Sequence, residues 1–214
     1  MDFLVDLVQR LRDLDTLVAT AGYAGLAAII FTETGLFFGF FLPGDSLLVT
    51  AGLLSATPGS PVHFDILTLG LLLSAAAILG DNTNYWVGRL SGPKIFRRDD
   101  SFFFKRKYVD DAHAFFEKYG AITVVLCRFM PIIRTFAPLV AGVAGMRYRT
   151  FLTFSIMGGV AWIWSMLLTG FLLGRYVPGV AQHVEKVIIL VVLISISPAV
   201  IGGLKARRAG RRDA

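Results

Sequence analysis

The chain has 214 residues, 55% of them hydrophobic, and a net charge of +6, with a mean hydropathy of +0.67. That length allows one compact membrane domain and no sizeable soluble one. Its basic residues flank apolar segments instead of lining a polar face, which argues against nucleic acid and for anionic lipid headgroups as partners. The single cysteine, Cys127, falls in an apolar run, so it forms no internal disulfide and has no second thiol for a metal site; no metal or other cofactor is expected.

Residues 1–16 place Leu4, Leu7, Val8, Leu11 and Leu14 at helical spacing with Asp6, Arg10, Arg12 and Asp13 between them, the pattern of an interfacial amphipathic helix. Aspartates at positions 2, 6, 13 and 15 argue against a signal peptide, so the N-terminus is expected to be retained. Apolar runs follow at 17–31, 36–54, 66–87, 121–146, 151–174 and 187–204. A transmembrane helix needs about 20 consecutive apolar residues, and two of these runs are interrupted. Pro43, Gly44 and Asp45 break the second; Arg128, Pro131, Arg134 and Pro138 break the fourth. Both are expected to be re-entrant hairpins, at about 32–54 and 121–146, with their freed backbone groups facing protein or water. The predicted fold is all-α: an inverted repeat of a re-entrant helical hairpin plus a transmembrane helix, flanked by further transmembrane and amphipathic helices. The membrane domain spans 17–204, and 205–214 forms a basic tail.

The distribution of Lys and Arg orients this layout. Arg10 and Arg12, the basic stretch 89–120, Arg147 and Arg149, and the tail after Leu204 all carry positive charge, whereas 55–65 has none. With four spans and two hairpins, every basic cluster and both termini are cytoplasmic, and 55–65 lies outside. Charge bias alone is equally satisfied by six spans; the Pro and Arg content of the broken runs favours re-entrancy. A weak internal repeat agrees: Pro43 is followed by Gly88-Arg89 and Pro131 by Gly174-Arg175 at similar distances. In inverted repeats, substrate sites lie near the midplane where broken segments meet.

Five ionisable residues lie inside apolar segments: Glu33, Asp45, Asp81, Arg128 and Arg134. Each costs a few kcal/mol or more at the bilayer centre, so such residues normally face a cavity, pair with one another and mark a pathway. Glu33 and Asp45 in the first hairpin are candidates for proton coupling. Arg128 and Arg134 in the second are candidates for binding a phosphate headgroup, since the guanidinium fork takes phosphate or carboxylate bidentately. The alternative is that the acids simply salt-bridge the arginines and hold the hairpins together. Asp81, with Asn84 and Tyr85 close by, is a secondary candidate that equally suits hydrogen bonding between helices; Pro43, Gly44 and Pro131 are secondary candidates as hairpin breakers. Gly142 and Gly145 allow close helix approach. Trp162, Trp164, Tyr148 and Tyr176 read as interface anchors. Residues 102–120 read as a cytoplasmic surface helix on anionic lipid.

Several of these residues together resemble one family. Glu33-x-Gly35, Pro43-Gly44-Asp45, the run from Gly80 to Arg89, Phe116 to Gly120, the run from Arg128 to Gly142, and Phe151 followed by Gly158 and Trp162 are similar, in order over about residues 30–175, to the DedA family, also called the SNARE-associated or VTT domain. The resemblance implies a bacterial inner-membrane protein with inverted re-entrant hairpins that moves lipids between leaflets. Bacterial members are linked to undecaprenyl phosphate and the proton motive force or to phospholipids, and eukaryotic relatives scramble phospholipids. It also implies that the family's functional acidic and arginine pairs fall on Glu33, Asp45, Arg128 and Arg134. The expected partners are therefore membrane lipids and protons, and a homo-oligomer is compatible with the pattern. A proton-coupled small-ion or solute antiporter using the same acids is the main alternative. A membrane-embedded lipid-modifying enzyme is disfavoured, because His63, His113 and His183 all fall outside the apolar runs.

Overall fold

The computed structural model describes residues 2–36, 44–56, 64–95, 120–130 and 133–176, with side chains described from Val18 onward in the first helix and up to Ser91 in the third. Pro43, Pro131, residues 102–119, the run 187–204, the tail 205–214 and most of 55–65 lie outside the described residues, as do the side chains of the amphipathic stretch 1–16. The described residues form six helices and no strand: α1 (Asp2–Gly35), α2 (Gly44–Ala56), α3 (Ile66–Ile95), α4 (Thr123–Cys127), α5 (Ile133–Val143) and α6 (Tyr148–Tyr176).

The sequence pattern changes from amphipathic to apolar near residue 16, but the backbone stays helical through that point. The break falls at Gly22, whose φ of 59° is left-handed. Only glycine takes that conformation without a Cβ penalty, and nothing packs within 4 Å of where a Cβ would stand. Conformation, not space, is what this position requires.

Helices α3 and α6 have 30 and 29 residues, each over about 40 Å long at 1.5 Å per residue and longer than a bilayer's hydrocarbon core. Less than half of the apolar stretch of either one is buried. Leu67, Leu71, Leu79 and Leu90 on α3 and Ile156, Met157 and Leu172 on α6 stand exposed. The core helix of a soluble protein would hide such side chains; a lipid-facing helix displays them.

In lipid, apolar surface gains little from leaving its surroundings for another helix, so close packing and hydrogen bonds must hold the bundle together. Glycines provide the approach. The short helix α2 lies along α6, and the short helix α5 lies along α3. A Cβ on Gly88 of α3 would collide with the Leu139 carbonyl of α5, and one on Gly174 of α6 would come within 2.9 Å of the Leu53 carbonyl of α2. Gly142 meets the Tyr85 carbonyl in the same way, so the close-approach reading of that glycine holds.

Helix α1 runs along α3, with Gly35 against the backbone of Gly80. The main core joins Leu26 and Ile30 of α1, Leu47 and Leu48 of α2, Leu69 and Leu73 of α3, and Trp162, Ile163 and Leu167 of α6. A smaller core gathers Tyr85, Val124, Ala141 and Phe151, with the Tyr85 and Phe151 rings stacked at 4.4 Å. There α5 ends in a Schellman-type turn: Gly145 is left-handed (φ 70°), and the Met146 N–H donates to the Ala141 carbonyl at 3.1 Å. The Tyr85 hydroxyl then donates to the Met146 carbonyl at 2.6 Å, tying the turn to α3.

Candidate functional site

Three helix ends converge on one buried cluster. Glu33 lies in the last turn of α1, Asp45 in the first turn of α2 and Arg134 in the first turn of α5. Arg134 Nη1 donates to Asp45 Oδ1 at 2.6 Å, and its Nη2 donates to Glu33 Oε1. One guanidinium thus joins carboxylates from two other helices. Helix dipoles disfavour an anion at the end of α1 and a cation at the start of α5; Glu33 and Arg134 offset these by pairing with each other. Because Asp45 and Arg134 touch, the N-termini of α2 and α5 face one centre, where their dipoles favour negative charge.

The surroundings of the two acids differ. The Glu33 side chain is 1% exposed and that of Asp45 17%. A Cβ on residue 44 would occupy the space of the Glu33 carboxylate, so a larger residue there would have to displace Glu33. Glu33 Oε2 is buried and has no hydrogen-bond partner among the described residues. Asp45 Oδ1 accepts a second hydrogen bond, from Trp162 Nε1 at 2.8 Å. The face of that indole lies under the Arg134 guanidinium, 4.7 Å from ring centroid to Cζ.

Arg128 follows the end of α4 and turns to a different partner. It forms an ion pair with Asp81 of α3, both side chains being 5% exposed or less, and Ser155 of α6 donates to the same carboxylate at 2.5 Å. Gly158 and Gly159 of α6 pack beside it: Cβ atoms there would stand at ordinary contact distances, 3.4 Å from Arg128 Cγ and 3.6 Å from Cζ. Trp162 lies between the arginines, with Arg128 Cζ 6.0 Å from its ring centroid. Asn84 bridges the break in the fourth apolar run to α1, donating to the Thr135 carbonyl at 2.7 Å and the Thr34 carbonyl at 3.4 Å.

Comparison with known proteins agrees with this arrangement of helices and charges. A family model described as the VTT domain matches residues 42–172. The chain is 40% identical to Protein DedA of Escherichia coli over 216 residues, covering 99% of this chain and 97% of that protein. The chain belongs to the DedA family of membrane proteins. It is also 49% identical to an uncharacterised membrane protein of Mycobacterium tuberculosis, covering 87% of this chain and 81% of that one. Against the inner membrane protein YqjA of Escherichia coli it is 31% identical, covering 94% and 92%. No solved structure matches.

In this DedA-family chain, the structure gathers all five ionisable residues singled out in the apolar runs, but as two separate sets. Arg134 takes Glu33 and Asp45, and Arg128 takes Asp81. Asp81 therefore neutralises a buried charge, beyond hydrogen bonding between helices. Gly44, Asn84 and Tyr85 pack as described, while Pro43 and Pro131 lie outside the described residues. Two assignments are corrected. Gly145 makes no close helix approach: nothing stands within 4 Å of where its Cβ would be, and its left-handed φ is what calls for glycine. Trp162 is no interface anchor: it is 1% exposed and bound to Asp45. Its position halfway along α6, far from either end, was the available signal. Ser155 and Gly159 carried none beyond being small residues.

Proposed function

We propose that this protein is a lipid transporter of flippase or scramblase type, moving undecaprenyl phosphate or a related anionic phospholipid between leaflets of the cytoplasmic membrane with coupling to the proton motive force. The observation that carries the reading is Arg134, a guanidinium inside an apolar bundle, held by two carboxylates where two helix N-termini meet. A phosphate headgroup is the chemistry such a fork and such helix ends recognise. Three carboxylates face two arginines, leaving one excess negative charge when all are ionised. An anionic headgroup entering this cluster therefore favours proton uptake, which is the physical basis proposed for coupling through Glu33 and Asp45.

The same excess carboxylate favours a second reading, a proton-coupled small-ion antiporter. In either reading the protein moves its cargo without chemical change.

The short helices suit this role. At 13 and 11 residues, α2 and α5 are too short to cross a bilayer alone, which supports two re-entrant hairpins dipping in from opposite faces, with both termini cytoplasmic and multiple spans between them. Proteoliposomes carrying a labelled undecaprenyl phosphate and an imposed pH gradient test the function. Gradient-dependent translocation that is lost in Glu33→Gln and Asp45→Asn is expected. Unchanged gradient response in both variants leaves passive scrambling as the mechanism, and gradient-driven flux of small cations without lipid movement replaces the lipid reading with the antiporter.

A further inference from the structure

We infer that Asp45 is the exchangeable ligand of Arg134 and that Trp162 is the positioning residue that makes the exchange possible, by keeping Asp45 hydrogen-bonded when an anionic phosphate group takes its place. The inference rests on the phosphate-headgroup reading of the same site.

Only one of the two acids is free to leave. Glu33 is enclosed by Gly44 and almost wholly buried, so it stays on Arg134 Nη2. Asp45 is the more exposed of the two carboxylates on Arg134, and it holds Nη1. An incoming phosphate oxygen therefore meets Nη1 by displacing Asp45. Asp45 is still mostly covered, so a displaced carboxylate with no donor would be a poorly compensated charge, which is unfavourable. Trp162 Nε1 already donates to the same oxygen at 2.8 Å, so Asp45 can release Arg134 and retain a donor. The indole face stays under the guanidinium and holds the Arg134 fork in place through the exchange.

The test uses the full chain purified in a maltoside detergent, titrated calorimetrically with dodecyl phosphate and, separately, with inorganic phosphate. Trp162→Phe keeps an aromatic face and removes only the N–H. It is expected to weaken dodecyl phosphate binding about tenfold, within the range of coupled neighbours. In an Asp45→Asn background, where the displaced group has no charge to satisfy, the same Trp162→Phe change is expected to have little effect. In a Glu33→Gln background the loss is expected to persist. Equal losses in the wild-type and Asp45→Asn backgrounds overturn the inference and leave the phosphate reading standing. Absence of wild-type binding to either probe overturns both. Inorganic phosphate binding with the same dependence on Trp162 supports the exchange and overturns the lipid cargo.

A second measurement does not rely on the Trp162 variant folding. The chain has three tryptophans, so a Trp86→Phe/Trp164→Phe protein with indole nitrogen-15 label reports Trp162 alone. Its N–H resonance is expected to stay at a hydrogen-bonded position and to shift on dodecyl phosphate binding. Movement to the position of a free indole overturns the inference.

Discussion

Arg128 and Arg134 are the same residue type, six positions apart in one broken segment, yet their surroundings are opposite in character. Arg128 has one carboxylate and a serine hydroxyl on that carboxylate, and the pair is closed from solvent. Arg134 has two carboxylates, one of them partly open, and lies closer to the Trp162 face, at 4.7 Å against 6.0 Å for Arg128. A balanced, enclosed pair suits holding helices together; an over-neutralised guanidinium with one accessible partner suits exchange. The comparison implies that a buried charge is read by the balance around it, and only secondarily by its burial.

The largest expected effect falls on the closed pair. Asp81→Asn leaves Arg128 buried without a counter-charge and is expected to lower stability by about 3–5 kcal/mol, the usual result of removing one member of a buried pair. Replacing both members, as Asp81→Leu with Arg128→Met, is expected to recover most of that loss. Asp45→Asn, by contrast, leaves Arg134 with Glu33 and keeps a hydrogen-bonding side chain, and is expected to lower stability by about 1–2 kcal/mol. Thermal unfolding in detergent measures all three. If Asp45→Asn proves as damaging as Asp81→Asn, the two arginines are equivalent and the comparison fails.

Glycine substitutions sharpen the same contrast. A methyl on residue 44 would take the place of the Glu33 carboxylate, so Gly44→Ala is expected to lower stability by about 1–3 kcal/mol, as overpacking does, and to weaken dodecyl phosphate binding as well. A methyl on residue 159 meets Ile78 at 3.4 Å and the end of Arg128 at 3.6 Å, ordinary contact distances. Gly159→Ala is therefore expected to leave both stability and binding near those of the wild type.

The charges themselves were legible in the sequence, because a carboxylate or guanidinium inside an apolar run stands out by its cost. Their pairing was not. Whether Arg128 meets Glu33 or Asp81 depends on how α1, α3 and the α4–α5 segment come together, and that is set by glycine contacts such as Gly35 on Gly80 and Gly142 on Tyr85, which involve residues distant in sequence. The break between α4 and α5 adds to this, since it separates the directions in which two arginines of one segment point. The helical class and the short second and fourth segments followed from proline, glycine and charge interrupting apolar runs. The kink in α1 did not, because Gly22 sits among helix-forming residues and only its left-handed φ distinguishes it. Trp162 was misplaced because its apolar ring dominates a sequence reading, while its buried position carries a single N–H whose partner lies on another helix.

A third contrast uses lysine, whose compact ammonium lacks the planar fork. Arg134 serves two carboxylates with two separate nitrogens, so Arg134→Lys is expected to lose one of them and to weaken dodecyl phosphate binding by about tenfold, near the 1.4 kcal/mol of one charge-assisted hydrogen bond. Arg128 meets Asp81 through one nitrogen, and Arg128→Lys is expected to change binding by less than a few-fold. The reverse order in the same titration would assign the headgroup to Arg128.

The smallest expected effect is at a carboxylate outside the bundle's interior. Asp65 precedes α3 and is exposed; its Oδ2 accepts from the Thr68 N–H at 2.7 Å, capping the helix, and its own N–H donates to the Tyr23 hydroxyl of α1. Hydrogen bonding from Thr68, through its side chain and then its backbone, holds the Asp65 carboxyl below the usual carboxylate range. A group depressed in the folded state contributes stability that is fully present above its unfolded value and is lost as pH falls through the folded one. The cap is therefore intact at neutral pH and weakens only in acid. Asp65→Ala is expected to lower Tm slightly at pH 7 and to narrow its difference from wild type as pH drops below the carboxylate range. Asp65→Asn keeps a capping oxygen and is expected to stay close to wild type at pH 7. Neither is expected to alter dodecyl phosphate binding, because the cap touches none of the five interior charges. A change in binding at neutral pH would mean that the end of α3 is coupled to the pair Asp81 makes further along the same helix, and the separation between a structural charge and an exchangeable one would have to be redrawn.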